Sequence, residues 1–323
     1  MGLMIDGVYQ VDEPPPATDA NGHWSRSKSV VRHWVSADGK PGPTGDAGFK
    51  AEAGRYHLYV AWNCPWAHRA LLALNFNALE SIVDFSVALP RRSEQGWIFD
   101  PEGEFADRQF GVASLHEIYS KGVDGYTGRI TVPVLWDKQT GSMVSNESAD
   151  VVRMFNTAFA DVAPESPDYY PPDLKDTIDH WNDRIYRTVN NGVYRAGFAS
   201  TQEAYEEAAY EVFETLDAIN ERLGRTRYLT GDRLTEADIR LFPTLARFDV
   251  AYHYAFKCNL RRLVDYDNLW PYAREIYQMP GVAETVKFDI YKRGYHSPSE
   301  KRNPLGIVPI GPTVDWSAPN GRA

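Results

Sequence analysis

Sulfur is scarce in this chain, with Cys64 and Cys258 the two cysteines among 323 residues. That count excludes a disulfide framework and points to a reducing compartment. The first residues, MGLMIDGVYQ, lack the basic region and apolar core of a secretory leader, so a cytoplasmic location is expected. They do not form a myristoylation signal either, because Asp6 stands where Ser or Thr is needed. Long hydrophobic runs are missing too, and no stretch approaches the roughly 18 apolar residues of a membrane span. Positive charge is in deficit: 34 basic residues face 44 acidic ones, a formal net charge of −10. A nucleic-acid partner would want basic stripes, and none is present. An anionic substrate must then be drawn by local groups, since the field of the whole chain does not attract it. His57 and His68 have no ligand partners at useful spacing, so no metal is expected.

Aromatic residues, by contrast, are abundant, with 19 Tyr and 9 Trp. They suit a site for flat organic molecules, and they suit core filling plus a large interface equally well. The length favours two domains, each able to bury its own core. Residues 1–53 are rich in Pro, Gly, Asp and Ser, including Pro14-Pro15-Pro16 and Pro41-Gly42-Pro43, and read as an irregular extension. From residue 54 to 165 the pattern is strand, helix, strand, then strand, strand, helix. Tyr56, Leu58 and Val60 alternate as in a strand, and Ala67, Ala70, Leu71, Leu74 and Ala78 recur at helical spacing from Pro65 to about Asn77. A second strand is expected over Ser81–Leu89, and a long polar stretch follows to Gly128. The run Ile130–Trp136 has strand composition with Pro133 inside it, which a cis Val132–Pro133 bond at the strand's start would reconcile. This order is that of a thioredoxin-like α/β domain.

Residues 171–295 change to helical periodicity. Ile178, Trp181, Ile185 and Val189 form one stripe; Ala204, Ala208, Val212, Leu216, Ile219 and Leu223 form another, closed by Gly224. Thr235 and Asp238 have the spacing of a capping box, with Leu234 set to pack on Ile239. Residues 296–323, rich in Pro and Gly, read as a tail. The fold class expected is α/β plus all-α, a thioredoxin-like domain followed by an all-helical one.

Ala61-Trp-Asn-Cys-Pro-Trp-Ala-His-Arg69 carries the chemistry. At a strand–helix junction Cys64 meets unpaired N–H groups and about half a positive charge, which favour thiolate over thiol. Dithiol oxidoreductases carry a second cysteine three positions on, and here that position is Ala67. A disulfide formed at Cys64 therefore needs an external thiol, for which glutathione is the natural candidate; Cys258, deep in the helical half, reads as structural. Val132 backbone groups beside a cis proline would pair with an extended peptide. Glu147 and Ser148, at a helix start, would receive the ammonium and carboxylate of an α-amino acid. A second reading of the same residues stays open: Ser148 or Asn146 merely caps the helix.

Together, Asn63-Cys-Pro-Trp-Ala-His-Arg69, Val132-Pro-Val-Leu-Trp-Asp137 and Asn146-Glu-Ser148 resemble the xi class of glutathione transferases, the glutathionyl-hydroquinone reductases. So do Val189–Tyr194, Arg247-Phe248-Asp249 through Asn259, and the tail from Asn303-Pro304 to Gly311-Pro312. The resemblance covers nearly the whole chain from about residue 50. It implies a glutathione-transferase helical domain, glutathione as co-substrate, an aromatic glutathionyl-hydroquinone as substrate and a homodimer. It implies catalytic roles for Cys64, Tyr194 as proton donor, and Tyr252 and Tyr295 flanking the site. It also implies glutathione contacts from Trp97, Arg129, Ile130, Thr131, Val132, Glu147 and Ser148. His296 after Tyr295 departs from the tyrosine common in that class. A conjugating or dehalogenating transferase is the first alternative, disfavoured because Cys64 stands where those classes use a hydroxyl. A non-catalytic interaction module is the second.

Overall fold

The structure, a computed structural model, describes residues 2–11, 18–90 and 93–322; the expected Pro14-Pro15-Pro16 segment lies outside the described residues. The chain divides into two compact units, Met1–Pro14 with Ser27–Asp168, and Pro15–Arg26 with Tyr169–Ala323.

In the first unit the elements run β1 (Leu3–Ile5), β2 (Val8–Gln10), β3 (Trp34–Ser36), β4 (Gly48–Lys50), β5 (Tyr56–Ala61), α1 (Pro65–Phe76), β6 (Val83–Ala88) and α2 (Leu115–Gly122). They continue with β7 (Gly128–Arg129), β8 (Val134–Asp137), β9 (Ser142–Ser145) and α3 (Ser148–Thr157). The main sheet has the order β6-β5-β8-β9. β5 runs parallel to β6 and antiparallel to β8, the mixed pairing of a thioredoxin-like core. The alternation read for β5 implies one buried face, yet all six of its residues are buried. The long polar stretch explains the difference, since Phe99 packs edge-on against Tyr59 and covers the second face. The same face holds His57, whose Nε2 lies 2.8 Å from Ser86 Oγ.

Helix α1 forms where its alanines and leucines recur, and Ala67, Ala70, Leu71 and Leu74 are all buried. It stops at Phe76, with the Asn77 amide donating to the Ala73 carbonyl at 2.7 Å. Ala78, read as part of the helical stripe, instead adopts a left-handed φ of 52° beyond the cap. The Val132–Pro133 bond is cis and β8 begins at Val134, so the proline sits ahead of the strand and costs it no ladder bond.

The extension over residues 1–53 is not irregular throughout. β1 pairs with both β2 and β7, and β3 with β4. Arg32 makes an antiparallel bridge to Ser145, and the His33 N–H donates to the Val144 carbonyl at 2.9 Å, extending the main sheet past β9. The β-branched pair Val30-Val31 before Arg32 is the local signal for this pairing.

In the second unit α4 (Lys175–Ile185) runs into a π-helical turn at Tyr186–Asn190, followed by α5 (Gly192–Phe198), the long α6 (Gln202–Leu223) and α7 (Glu236–Arg247). A second π-helical turn, Phe248–Tyr252, leads to α8 (His253–Ala255), α9 (Leu269–Tyr277), α10 (Val282–Thr285) and α11 (Phe288–Tyr295). The six apolar residues read on α6 are all buried; on α4 Ile178 and Ile185 are buried while Trp181 is half-exposed. The Thr235–Asp238 capping box is present at the start of α7. Residues 18–26 belong to this helical unit: Thr201 donates to the Asn21 carbonyl at 2.8 Å, and the Ser200 N–H to the Gly22 carbonyl at 3.1 Å. The tail is pinned too, with Arg322 on Glu275 at 2.6 Å and Gln278 on the Trp316 carbonyl at 2.9 Å. Among the described residues no helix is long and apolar enough to cross a membrane, and no group of three His, Cys, Asp or Glu is placed to hold a metal ion.

Candidate active site

Cys64 is the N-cap of α1, with φ −84° and ψ 118°, and Pro65 occupies the first helical position. Its carbonyl accepts the first helical bond, from the His68 N–H at 3.0 Å, while its side chain makes no capping bond. The sulfur is partly exposed and lies 3.5 Å from the Val132 carbonyl oxygen. As the N-cap residue, Cys64 carries its thiol at the helix N-terminus, which favours the anion. Arg69, one turn on and 2 % exposed, places its guanidinium 4.5 Å from the centre of the Trp66 ring.

The segment opposite is built residue by residue. Arg129 lies in β7 against Leu3 of β1, and its carbonyl accepts from the Tyr126 hydroxyl at 2.9 Å. The Ile130 N–H donates to the Gly2 carbonyl at 2.8 Å. Thr131 is held on both backbone groups by one phenol: its N–H donates to Tyr119 Oη at 3.1 Å, and its carbonyl accepts from that hydroxyl at 2.8 Å. Val132 is the first residue in the run whose N–H has no partner among the described residues. Its carbonyl faces Cys64. The pair offers an extended peptide one donor and one acceptor beside a sulfur.

At α3 the capping group is Glu147, not Ser148 or Asn146: its carboxylate accepts from the Ala149 N–H at 3.1 Å. The other carboxylate oxygen accepts from Ser29 Oγ at 3.0 Å. A helix N-terminus favours the acid there, and a carboxylate so held can still receive an ammonium group. Ser148 is buried beside it, and Asn146 is buried with its amide nitrogen 3.2 Å from Tyr119 Oη. Trp97 is 4 % exposed, and its carbonyl accepts from the Leu115 N–H at the start of α2. The Cys64 site shares no residue with the cavity of about 300 Å³ lined by His57, Asp84 and Arg108.

In the helical unit three tyrosines meet. Tyr194 comes from α5, Tyr252 from the end of the second π-helical turn, and Tyr295 from the last residue of α11. The Tyr295 hydroxyl lies 2.7 Å from that of Tyr194 and 3.2 Å from that of Tyr252. Phe256 packs on all three rings, at 5.3, 5.5 and 5.6 Å. Tyr252 is wholly buried, whereas Tyr194 and Tyr295 are mostly buried with a partly exposed edge. Burial, reinforced by the neighbouring phenols, raises Tyr252 and Tyr295 well above the usual tyrosine value, and the buried Arg247 guanidinium only partly opposes it. These phenols remain protonated through the neutral range and can serve as donors.

Two neighbours of this group were not legible in the sequence. Arg26 lies over the Tyr194 ring at 4.7 Å and donates to Asn191 at 2.6 Å, and Trp24 packs on Tyr194 and Phe198. A Trp and an Arg inside a segment poor in apolar residues were the available signal. Cys258 is fully buried, and burial pushes its thiol up to about 12, so it is an inert sulfur at neutral pH.

Comparison with known proteins places these features. Family models described as "Glutathione S-transferase, N-terminal domain" and "Glutathione S-transferase, C-terminal domain" match residues 63–158 and 202–275. Glutathionyl-hydroquinone reductase YqjG of Escherichia coli is 50 % identical over 100 % of this chain and 98 % of its own length. Its glutathione-bound structure superposes with a TM-score of 0.89 at 48 % identity, covering 98 % of each chain. Glutathionyl-hydroquinone reductase PcpF of Sphingobium chlorophenolicum is 45 % identical over 97 % of this chain and 96 % of that protein. A xi-class glutathione transferase structure from Natrialba magadii aligns at 43 % identity with a TM-score of 0.88, over 99 % of this chain and 95 % of its own.

Proposed function

The chain belongs to the glutathionyl-hydroquinone reductases, the xi class of glutathione transferases, and from that premise we propose that it reduces glutathionyl-hydroquinones through a Cys64–glutathione mixed disulfide. The observation that carries this reading is the position of Cys64: a helix N-cap sulfur 3.5 Å from the Val132 carbonyl, with Ala67 where a resolving cysteine would stand.

Glutathione binds with its cysteinyl backbone paired to Val132 and its γ-glutamyl end on Glu147 and Ser148. Its sulfur, joined to the ring as a thioether, is then held at Cys64. The Cys64 thiolate attacks that sulfur; the new S–S bond forms as the carbon–sulfur bond breaks, and its electron pair passes to the ring carbon. Carbon leaves badly as an anion, so the step needs a proton delivered as the charge develops. Tyr194 supplies it, and its own proton is restored from solvent. The ring leaves as the free hydroquinone, reduced by two electrons, while the two sulfurs are oxidised to a disulfide. A second glutathione thiolate then attacks the glutathionyl sulfur, regenerating Cys64 and releasing glutathione disulfide. Tyr295 holds the Tyr194 hydroxyl at 2.7 Å and is held in turn by Tyr252; as the resemblance implies, Tyr252 and Tyr295 flank the site and help to lower the pKa of Cys64. A reducing cytoplasm, rich in glutathione, is the setting this cycle requires, and the active form is a homodimer.

Intact mass spectrometry after mixing the enzyme with a glutathionyl-hydroquinone, without free glutathione, tests the reading. One glutathionyl group should appear on Cys64 with one hydroquinone released, and added glutathione should clear it. Folded enzyme that binds glutathione yet forms no adduct would overturn it.

A further inference from the structure

We infer that Tyr119 is a positioning residue for glutathione, setting the separation between the backbone that takes its cysteinyl part and the helix start that takes its γ-glutamyl end; this rests on the reading of the Cys64 site given above. Tyr119 lies in α2, wholly buried, and its single hydroxyl makes four contacts, one of them to the Thr131 hydroxyl at 3.3 Å. It accepts from the Thr131 N–H at 3.1 Å, donates to the Thr131 carbonyl at 2.8 Å, and accepts from the Asn146 amide at 3.2 Å. Thr131 immediately precedes Val132, and Asn146 immediately precedes Glu147. One oxygen thus joins the residue before the peptide-pairing position to the residue before the α-amino-acid position.

Among the described residues no direct hydrogen bond joins Thr131 to Asn146; the phenol makes the link. The side-chain amide oxygen of Asn146 accepts from the Val31 N–H at 3.3 Å, so its amide nitrogen alone reaches the phenol. Thr131 has both backbone groups engaged by the phenol, which leaves Val132 as the next residue able to offer its N–H. Tyr126 supports the arrangement from the side: its ring packs edge-on to Tyr119 at 4.8 Å and its hydroxyl holds the Arg129 carbonyl. A tripeptide that must touch both places at once binds only if their spacing is fixed before it arrives, which lowers the ordering cost of binding. A reagent that touches Cys64 alone is indifferent to that spacing.

The test uses two disulfides on the full-length enzyme. In the wild type, Cys64 should exchange with glutathione disulfide much faster than with hydroxyethyl disulfide, each reaction forming one mixed disulfide at Cys64 as the reagent's S–S bond breaks and releasing one thiolate. In Tyr119→Phe the rate with glutathione disulfide should fall roughly tenfold, while the rate with hydroxyethyl disulfide stays within about twofold. An equal fall with both reagents would reduce Tyr119 to a general structural role, and no fall with either would remove it from the site; each overturns the inference. If Tyr119→Phe does not fold, Asn146→Ala severs the same phenol from the start of α3 and must show the same selective loss, or the inference fails. A wild type with no preference for glutathione disulfide overturns instead the glutathione reading on which the inference rests.

Discussion

Stability and rate should respond in opposite order to the loss of two hydroxyls that share one hydrogen bond. Tyr295→Phe removes the oxygen that bridges Tyr194 at 2.7 Å and Tyr252 at 3.2 Å, so both bonds go. The Tyr252 hydroxyl, wholly buried, is left with no acceptor or donor among the described residues. An orphaned buried hydroxyl costs about 1–3 kcal/mol. Tyr194→Phe removes the 2.7 Å bond to Tyr295 from a partly exposed residue, and Tyr295 keeps Tyr252; the expected loss is about 0.5–1.5 kcal/mol. On rate the order inverts. Tyr194→Phe deletes the proton donor, and a positioned acid is worth roughly 10²–10⁴-fold. Tyr295→Phe leaves that proton in place and disturbs only its orientation, for about tenfold or less. Urea denaturation gives the first ranking. Single-turnover release of hydroquinone from a glutathionyl-hydroquinone gives the second, with glutathione clearance of the Cys64 adduct as an internal control that neither change should slow. Because burial raises Tyr252 and Tyr295, loss of their protons belongs above pH 10, and the release step should show no fall from them up to pH 9. Ring release by Tyr194→Phe within a few-fold of wild type would refute the assignment of the acid. A larger stability loss in Tyr194→Phe than in Tyr295→Phe would refute the ranking by burial of the orphaned Tyr252 hydroxyl.

The other expectations are simpler. Arg55 meets the wholly buried Asp137 in two bonds of 2.8 and 2.7 Å, so Arg55→Met should cost about 3 kcal/mol in urea denaturation. Adding Asp137→Asn should recover part of that loss, and a neutral Arg55→Met would contradict the pairing. Burial, against the pull of Asp107, lowers His57 from 6.5 to about 4, so the unfolded chain binds its proton first as pH falls. Stability from this group is complete above pH 6.5 and is lost between there and pH 4, by up to roughly 3 kcal/mol. Denaturation at pH 7 and pH 4.5 should therefore show a steeper decline in wild type than in His57→Gln, and equal declines would exclude it. Iodoacetamide at pH 8 should modify Cys64 and spare Cys258 in the native enzyme, both reacting in urea; native labelling of Cys258 would contradict its burial.

What could be read beforehand was local chemistry. Cys64-Pro65 announced a strand–helix junction because a proline suits a first helical turn, and Val132-Pro133 announced its unusual bond because proline interrupts strand composition. The helical stripe of α6 was plain because six apolar residues kept one period. Glu147 as cap was not foreseen, since Asn146 and Ser148 beside it are the more common capping types. Tyr119 was invisible because its partners lie 12 and 27 residues away, and no periodicity links them. Among 19 tyrosines, only resemblance singled out Tyr194, Tyr252 and Tyr295, which three separate elements contribute. The pairing of residues 32 and 33 with β9 was hidden by the surrounding Gly and Pro, which masked a short β-branched run.

The placement of residues 18–26 in the helical unit has a bearing on synthesis. The chain passes between units three times, after Pro14, after Arg26 and after Asp168, so no single cut separates them into complete pieces. A fragment beginning at Tyr169 would lack Trp24 and Arg26, and with them the cover over one face of the Tyr194 ring. On the ribosome, Arg26 emerges 168 residues before Tyr194 (194 − 26), which at about 5–20 residues per second is a wait of roughly 8–34 s. During that interval the first unit can assemble while residues 18–26 still lack the partners of their own unit. The helical unit is thus completed by the part of it that was made first.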